Sequence, residues 1–232
     1  MTNPGSKSVE RLGEKIEGIM YTGIVQSCVP VESVTRSTGL LTFGLTLPAA
    51  MSEDVTLGAS IAVNGCCFTV TSMTSLDEGL AVTFDAIQET QDLTNIRLIE
   101  LGTLVNIERS AKYDVEIGGH VLSGHIVGTS EVSEVLHSEN NCRVVFEGRP
   151  AWLKYVFEKG YLAINGASLT VAALDRTNNT FAVNLIPETL KRTNFSELEK
   201  GSLVNIEIES QSQIIVDTVE RLMTERYPAE AK

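Results

Sequence analysis

The chain of 232 residues lacks a long apolar run, an apolar segment near residue 1 and an excess of positive charge. No apolar stretch approaches the ~20 residues that a membrane-spanning helix needs, and residues 1–19 are too polar for a signal peptide. We therefore expect a cytoplasmic protein. The 30 acidic residues outnumber the 18 Lys and Arg residues, and the formal net charge of -12 would repel the phosphates of a nucleic acid.

Residues suited to metal binding are also scarce. The four cysteines, Cys28, Cys66, Cys67 and Cys142, include no C-x-x-C pair of the kind that zinc fingers and ribbons use. Only three histidines are present, so no metal site is expected. Adjacent cysteines rarely bridge each other, because a disulfide needs a longer Cα–Cα separation than neighbouring residues have. The sequence thus predicts four reduced thiols.

An internal duplication is the most informative feature that the sequence does contain. Three pairs of blocks align in the same order at an offset of 99 to 101 residues: TGIV (22–25) with SGHI (123–126), NGCCFTV (64–70) with NGASLTV (165–171), and ETQDLTNIRLIELGTLVNIE (89–108) with ETLKRTNFSELEKGSLVNIE (188–207). The last pair shares eleven of twenty positions without a gap. Such a repeat indicates two copies of one domain.

We take the two copies as residues 20–118 and 119–210, with an extension over 1–19 that is predicted to be disordered and a tail over 211–232. Short runs rich in Val, Ile and Thr alternate with Gly, Asn and Ser in both copies, which is typical of β-strands. Many short strands in one small domain favour a closed barrel or a sandwich. The Asn-Gly pair in each copy indicates a tight turn.

The tail has a different pattern. Ile215, Val219, Leu222 and Met223 form the apolar stripe of an amphipathic helix, which would end before Pro228. An apolar stripe needs a partner. The pattern is compatible both with packing on the protein's own barrels and with oligomerisation.

Five motifs resemble the signatures of the riboflavin synthases: MYTGIVQ (20–26), NGCCFTV (64–70), GGHVLSGHIVG (118–128), NGASLTV (165–171) and LIPETL (185–190). The resemblance extends from Met20 to about Arg221. It implies an all-β fold of two tandem homologous six-stranded antiparallel barrels, each binding a lumazine, plus a C-terminal α-helix. In this family the helix is the trimerisation element of a homotrimer.

The same resemblance implies an activity. Members are transferases of riboflavin biosynthesis that dismutate two molecules of 6,7-dimethyl-8-ribityllumazine, by four-carbon transfer, to riboflavin and 5-amino-6-(D-ribitylamino)uracil. No metal and no organic cofactor is implied. The active site would lie where the N-terminal barrel of one chain faces the C-terminal barrel of the next. An association of the trimer with lumazine synthase is left open.

Five residues are the candidates for catalysis. One lumazine must lose a methyl proton, and histidine titrates near neutrality, so His125 is the expected acid and base, with Thr170 as its hydrogen-bonding partner. Cys67 and Ser168 occupy equivalent positions in the two copies, and either could orient or add to the ring. By resemblance, Glu209 supplies a carboxylate at the end of the last strand.

The resemblance also implies one set of substrate contacts for each barrel. In the first barrel these are Gly23, Ile24, Val25, Cys67, Phe68, Thr69, Asp85, Ala86, Ile87, Gln88, Glu89 and Thr90. In the second barrel they are Gly124, His125, Ile126, Lys159, Ser168, Leu169, Thr170, Leu185, Ile186, Pro187, Glu188, Thr189 and Leu190. The polar members near the Gly turns would bind the pteridine, and the Glu-Thr pairs would bind the ribityl chain.

Three positions depart from the usual family pattern. Glu209 and Asn165 stand where Asp is usual, and Tyr21 stands where Phe is usual. Of the other histidines, His120 is expected only to brace its loop and His137 to lie on the surface.

Two rival functions use related folds. Antenna proteins bind lumazine or flavin without turnover and have degraded motifs in one barrel, whereas both copies retain their motifs here. A flavin-dependent reductase would need a dinucleotide-binding Gly-rich fingerprint between a strand and a helix, which this sequence lacks. The sequence therefore favours the synthase.

Overall fold

The computed structural model describes residues 20–112 and 116–226. The extension for which disorder is predicted, residues 1–19, lies outside the described residues. Within the described ranges, no helix is both long enough and apolar enough to span a membrane.

The first half is a seven-stranded antiparallel sheet with the strand order β1-β7-β4-β5-β6-β3-β2. Its strands are β1 (Ser27–Pro30), β2 (Ser33–Ser37), β3 (Leu40–Pro48), β4 (Ser60–Val63), β5 (Cys66–Leu76), β6 (Gly79–Ile87) and β7 (Leu104–Arg109). Helix α1 (Ala49–Ser52), helix α2 (Gln88–Leu93) and a 3-10 turn (Asn95–Leu98) connect them.

The second half is a closed six-stranded barrel with the strand order β10-β11-β12-β9-β8-β13. Its strands are β8 (Gly128–Ser138), β9 (Asn141–Glu147), β10 (Tyr161–Ile164), β11 (Ala167–Asp175), β12 (Thr180–Leu185) and β13 (Leu203–Ile208). Helices α3 (Pro150–Leu153) and α4 (Pro187–Arg192), a 3-10 turn (Asn194–Glu197) and the C-terminal helix α5 (Ser210–Arg226) complete it. The all-β fold with a terminal helix is confirmed.

One corner explains why the first half has seven strands rather than six. Strands β1 and β2 lie at opposite ends of the strand order, yet only Val31 and Glu32 separate them. The Val31 N–H donates to the Thr103 carbonyl just before β7, and the Glu32 N–H donates to the Gly44 carbonyl on β3. The chain therefore changes its partner strand at this point. The second half turns the same corner with a register shift between Val132 and Glu134 inside the continuous strand β8. The first sheet is therefore a ring with one strand in two pieces.

Each half surrounds its own apolar core. Phe43, Phe68 and Phe84 pack together in the first core, and Phe146 stacks on Phe181 in the second. A third, small cluster lies between the halves and consists of Tyr21, Ala62, Leu122 and Ala163. Separate cores with a small apolar contact are consistent with a duplicated domain.

Six buried asparagines join the two halves, and they form three equivalent pairs: Asn64 and Asn165, Asn95 and Asn194, Asn106 and Asn205. The Asn106 side chain accepts the Asn194 backbone N–H at 2.8 Å and donates to the Asn165 carbonyl at 2.9 Å. The Asn205 side chain accepts the Asn95 backbone N–H at 2.7 Å and donates to the Asn64 carbonyl at 2.9 Å. These amides thus satisfy backbone groups of the opposite half.

The two predicted Asn-Gly turns meet at the centre of this network. A Cβ on Gly65 would lie 2.6 Å from the backbone nitrogen of Gly166, and a Cβ on Gly166 would lie 2.8 Å from that of Gly65. Both glycines also have positive φ, +78° and +80°. Only glycine allows both the turn and this close approach.

Replacing Asn205 by Leu should test how much the amide network stabilises the structure. Leucine has a similar volume but leaves the Asn95 N–H and the Asn64 carbonyl, which Asn205 binds, without partners. Burial of unpaired polar groups should lower the free energy of unfolding by about 3 kcal/mol, measured by urea denaturation.

The matched control is Asn184→Leu, because Asn184 is an exposed asparagine on β12. It should change the free energy of unfolding by no more than about 0.5 kcal/mol. Equal effects of the two substitutions would show that the network is not a major source of stability.

Candidate functional site

The two Gly-containing loops of the repeat are exchanged between the halves. Loop 1 (residues 22–25) belongs to the first half but lies against β11 of the second barrel, where the Ser168 N–H donates to the Gly23 carbonyl at 2.8 Å. Loop 2 (residues 123–126) belongs to the second half but lies against β5, where the Cys67 N–H donates to the Gly124 carbonyl at 3.0 Å. Each barrel therefore presents a site built from both halves.

These loop contacts depend on glycine. A Cβ on Gly23 would lie 2.5 Å from the Ser168 Cβ, and a Cβ on Gly124 would lie 2.6 Å from the Cys67 Cβ. The φ angles are +73° and +79°, a region that side chains disfavour. The loops consequently bring their backbones directly against the two candidate reactive residues.

Two buried glutamates hold the loops. Glu108 at the end of β7 accepts the N–H of Thr22 at 2.7 Å and that of Gly23 at 3.1 Å. Its counterpart Glu207 on β13 accepts the N–H of Ser123 at 2.7 Å and that of Gly124 at 3.0 Å. Burial raises the pKa of both carboxyl groups, and these hydrogen bonds partly offset it. Each carboxylate thus fixes one loop.

Neither glutamate was among the site residues predicted from the sequence. A signal for them existed, because Glu108 and Glu207 occupy identical positions at the ends of the repeated LVNIE blocks. A charged residue that is identical in both copies and lies at the end of a buried strand is more readily explained by a structural role in both halves than by simple exposure to solvent.

The first-barrel site contains Cys67, loop 2 and Tyr21. Cys67 is half-buried on β5, and the Tyr21 hydroxyl donates to its Sγ at 3.1 Å. The adjacent Cys66 points into the core, where burial raises the pKa of its thiol to about 12. Adjacent residues of a strand point to opposite faces, and Cys67 is the member that faces loop 2.

The second-barrel site contains Ser168, loop 1 and His120. The Ser168 Oγ lies 2.6 Å from the His120 Nδ1. The imidazole stacks on the Tyr161 ring, with the two ring centroids 5.2 Å apart. Burial lowers the pKa of His120, although the charge of Glu209 opposes this effect. A neutral imidazole can accept the hydroxyl proton, so this pair has the arrangement of a nucleophile and its base. The structure thus places His120 against Ser168, whereas the sequence predicts only that it braces its loop.

Glu209 lies between β13 and α5 and caps the helix. Its carboxylate accepts the N–H of Gln211 at 3.0 Å and that of Ser212 at 2.7 Å, which are free donors at the start of α5. Burial alone would raise the pKa of Glu209, but these hydrogen bonds and the neighbouring His120 bring it below its usual value. Glu209 is thus an ionised cap beside the second-barrel site.

The predicted partners His125 and Thr170 lie on different barrels. His125 is exposed on loop 2, next to the first-barrel strand β5, whereas Thr170 is exposed on β11 of the second barrel. Thr69 is the exposed equivalent of Thr170 on β5. Lys159 is exposed in the loop before β10. Their roles stay predictions.

The other predicted contacts lie at equivalent places in the two barrels. Asp85, Ala86 and Ile87 end β6, and Leu185 ends β12. Gln88, Glu89 and Thr90 form the first turn of α2, and Pro187, Glu188, Thr189 and Leu190 lie in α4 after Ile186. Phe68 is buried, Leu169 is half-buried and Ile24 is 47% exposed, and Val25 and Ile126 pack against the cores.

Across residues 20–112 and 116–226, no group of three or more His, Cys, Asp or Glu residues could hold a metal ion.

Substituting the loop glycines should test the exchanged arrangement. Gly23→Ala and Gly124→Ala add both the strain of a positive φ and a clash with Ser168 or Cys67. Each should lower the free energy of unfolding by about 3 kcal/mol, measured by urea denaturation, and should weaken ligand binding in the barrel that the loop contacts.

Gly39→Ala separates the two effects. Gly39 has the same φ, +74°, but among the described residues no atom beyond its chain neighbours lies within 4 Å of the place that a Cβ would take. We expect the substitution to cost only the conformational term of about 1 kcal/mol and to leave ligand binding unchanged. A Gly39→Ala variant as damaged as the other two would argue against close loop contacts.

Comparisons with known proteins agree with this geometry. The lumazine-binding domain family matches residues 22–110 and again residues 123–209. The riboflavin synthase of Escherichia coli (strain K12) is 44% identical over 211 residues, which cover 90% of this chain and 96% of that protein. The riboflavin synthase of Bacillus subtilis (strain 168) is 36% identical over 189 residues, covering 81% of this chain and 84% of that protein.

Solved structures of LumP are similar as well. LumP complexed with 6,7-dimethyl-8-(1'-D-ribityl) lumazine has a TM-score of 0.72 and 28% identity, covering 82% of this chain and 99% of that chain. LumP complexed with riboflavin has a TM-score of 0.73 and 27% identity with the same coverage. Because both halves match the lumazine-binding domain and the curated relatives align over most of their length, the chain belongs to the riboflavin synthase family and is an enzyme of that type.

Proposed function

We propose that this chain dismutates two molecules of 6,7-dimethyl-8-ribityllumazine to riboflavin and 5-amino-6-(D-ribitylamino)uracil. The observation that carries the proposal is that equivalent positions of two similar barrels hold different reactive groups. Cys67 receives a hydrogen bond from Tyr21, whereas Ser168 lies against the ring nitrogen of His120. The reaction needs this combination, because two identical molecules must be bound alike and treated differently.

The proposed reaction transfers a four-carbon unit from one lumazine to the other. Holding both reactants in one assembly removes most of the entropic cost of their encounter. A methyl group must lose a proton, and we assign proton transfer in the second-barrel site to His120 and Ser168, since a buried neutral imidazole is a competent base at pH 7. We keep His125, Cys67, Thr170 and Glu209 as further candidates.

We propose residues 20–118 and 119–210 as the two lumazine-binding barrels. The exchanged loops support one correction to the predicted contact sets: Gly23, Ile24 and Val25 belong with Ser168, and Gly124 and His125 belong with Cys67. In each barrel the Glu-Thr pair, an exposed glutamate and a half-buried threonine, lies in the first turn of a short helix, α2 or α4. There, hydroxyl and carboxylate groups are available for ribityl hydroxyls.

We further propose that the active enzyme is a homotrimer joined by α5, in the cytoplasm. Lys154 and Tyr155 bind Asp217 and Glu220 and so hold the polar side of α5 on its own barrel. The other side bears the apolar stripe, which is exposed: Ile214, Ile215, Val219, Leu222 and Met223. The tail's open question is therefore best answered by oligomerisation.

The alternative function is lumazine or flavin binding without turnover. The similarity of the fold to LumP, whose structures contain a bound lumazine or riboflavin, supports this binding function. Against it, both barrels of this chain retain a reactive side chain with a specific polar partner, namely Cys67 with Tyr21 and Ser168 with His120.

Adding the purified protein to 6,7-dimethyl-8-ribityllumazine should distinguish the two functions. We expect one riboflavin for every two lumazines consumed, without added cofactor, followed by absorbance and chromatography. Because proton transfer by a positioned base contributes about 10²–10⁴-fold to a rate, His120→Asn should lower kcat by at least about 100-fold.

His137→Asn is the control, because His137 is exposed on β8; it should leave kcat unchanged. His125→Asn measured beside His120→Asn compares the two candidate bases directly. Tight binding with no riboflavin formed would favour the antenna-type function instead.

Charging the apolar stripe should test the assembly. Leu222→Glu places a carboxylate in the exposed stripe of α5 and should prevent association, because an unpaired charge is costly to bury. Light scattering after size exclusion should give three times the 25.2 kDa chain mass for the unmodified protein and a lower mass for the variant.

Thr224→Glu adds a carboxylate on the polar side of α5, one turn after Glu220, and it should not change the mass. A monomeric unmodified protein, or a Leu222→Glu variant of unchanged mass, would contradict the trimer.

A further inference from the structure

The phenol of Tyr21 is fixed between the two halves. Its side chain is 1% exposed and packs with Ala62, Leu122 and Ala163. Its backbone N–H donates to the Leu122 carbonyl at 2.8 Å and its carbonyl accepts the Leu122 N–H at 2.9 Å. Residues of both halves thus hold the ring and the backbone of Tyr21. The position of its hydroxyl group is therefore fixed.

That partner is the Sγ of Cys67, 3.1 Å away. A buried O–H needs an acceptor, and a neutral thiol is a poor one, whereas a thiolate is a good one. Burial, followed by the bond to Cys67, raises the pKa of Tyr21 well above its usual range. The phenol therefore remains a donor at every physiological pH, and its hydrogen bond is stronger when the sulfur is negative.

Cys67 is also the thiol best placed to use this donor. It is half-buried beside the Gly124 carbonyl of loop 2. The remaining thiols are disfavoured as thiolates, since burial raises the pKa of Cys66 to about 12, that of Cys28 to about 11, and also that of Cys142.

The equivalent position in the second half has no hydrogen-bond donor in its side chain. Leu122 occupies the place of Tyr21 at the repeat offset of 101 residues and has no group to donate. Ser168, the equivalent of Cys67, instead contacts the ring nitrogen of His120. A donor thus faces the sulfur in one barrel, and a potential base faces the hydroxyl in the other.

We propose that Tyr21 is a positioning residue for Cys67: its hydroxyl holds the sulfur in the first-barrel site and stabilises negative charge that develops on it. The proposal deepens the proposed function, because it gives the first barrel a polarised sulfur for the lumazine that is bound there. Tyr21 contacts the thiol and acts on the substrate only through it.

The test is the rate at which Cys67 of the full-length protein is alkylated by iodoacetamide between pH 6 and pH 10. The modified peptide is quantified by fragmentation mass spectrometry, which separates Cys67 from Cys66. In the unmodified protein, Cys67 should react faster than Cys28. In Tyr21→Phe, which keeps the ring, the rate at pH 7.5 should fall about fivefold and the pH profile should move upward by about half a unit or more.

Tyr155→Phe is the matched control, because it removes a phenol hydroxyl that binds Asp217 instead; it should leave the Cys67 profile unchanged. An unchanged profile in Tyr21→Phe, or a Cys67 slower than Cys28 in the unmodified protein, would overturn the proposal. Alkylation needs no substrate, so its result stands apart from turnover. A protein that forms no riboflavin but shows the shifted profile would refute the synthase function and retain the role of Tyr21.

Discussion

The contact between the two Asn-Gly turns constrains the rest of the molecule. Gly65 and Gly166 approach so closely that neither can carry a side chain, and the surrounding asparagines bind backbone groups of the opposite half. A buried amide without a hydrogen-bonding partner destabilises the folded state. One relative orientation of the halves is therefore strongly preferred. That orientation brings loop 1 to Ser168 and loop 2 to Cys67, and both candidate sites depend on it.

The buried glutamates make the exchange of loops stable. A carboxylate is costly to remove from water, and it needs several donors to compensate. Glu108 and Glu207 obtain those donors from the backbone of the loops themselves. Displacing either loop would remove these donors and leave the buried carboxylate without them. Strand end and loop therefore form one unit in each half, although the loop then serves the other barrel.

The sequence predicted the elements of this arrangement better than their contacts. The repeat identified the duplicated β domain with its Asn-Gly turns, and the apolar stripe of the tail identified the terminal helix, because local periodicity and turn chemistry determine them. An alignment of copies says that Gly23 corresponds to Gly124, but it cannot say which barrel either one contacts. The His120 backbone N–H donates to the Thr22 carbonyl of loop 1, so the burial of His120 beside Ser168 involves the same docking. No repeat block contains His120, so the alignment of the copies does not single it out.

A duplicated scaffold faces a chemical difficulty when the two reactants are the same compound. Equal barrels give equal placement, which the proposed transfer between two lumazines requires, but equal side chains would give neither molecule a distinct role. In this chain the backbone is symmetric where position matters, at the turns, the asparagines and the carboxylates. It differs where reactivity matters, since Tyr21 donates to a sulfur and His120 can accept from a hydroxyl. Because a donor favours negative charge on its partner and a base removes a proton from it, a few substitutions are sufficient to make two like pockets chemically unlike.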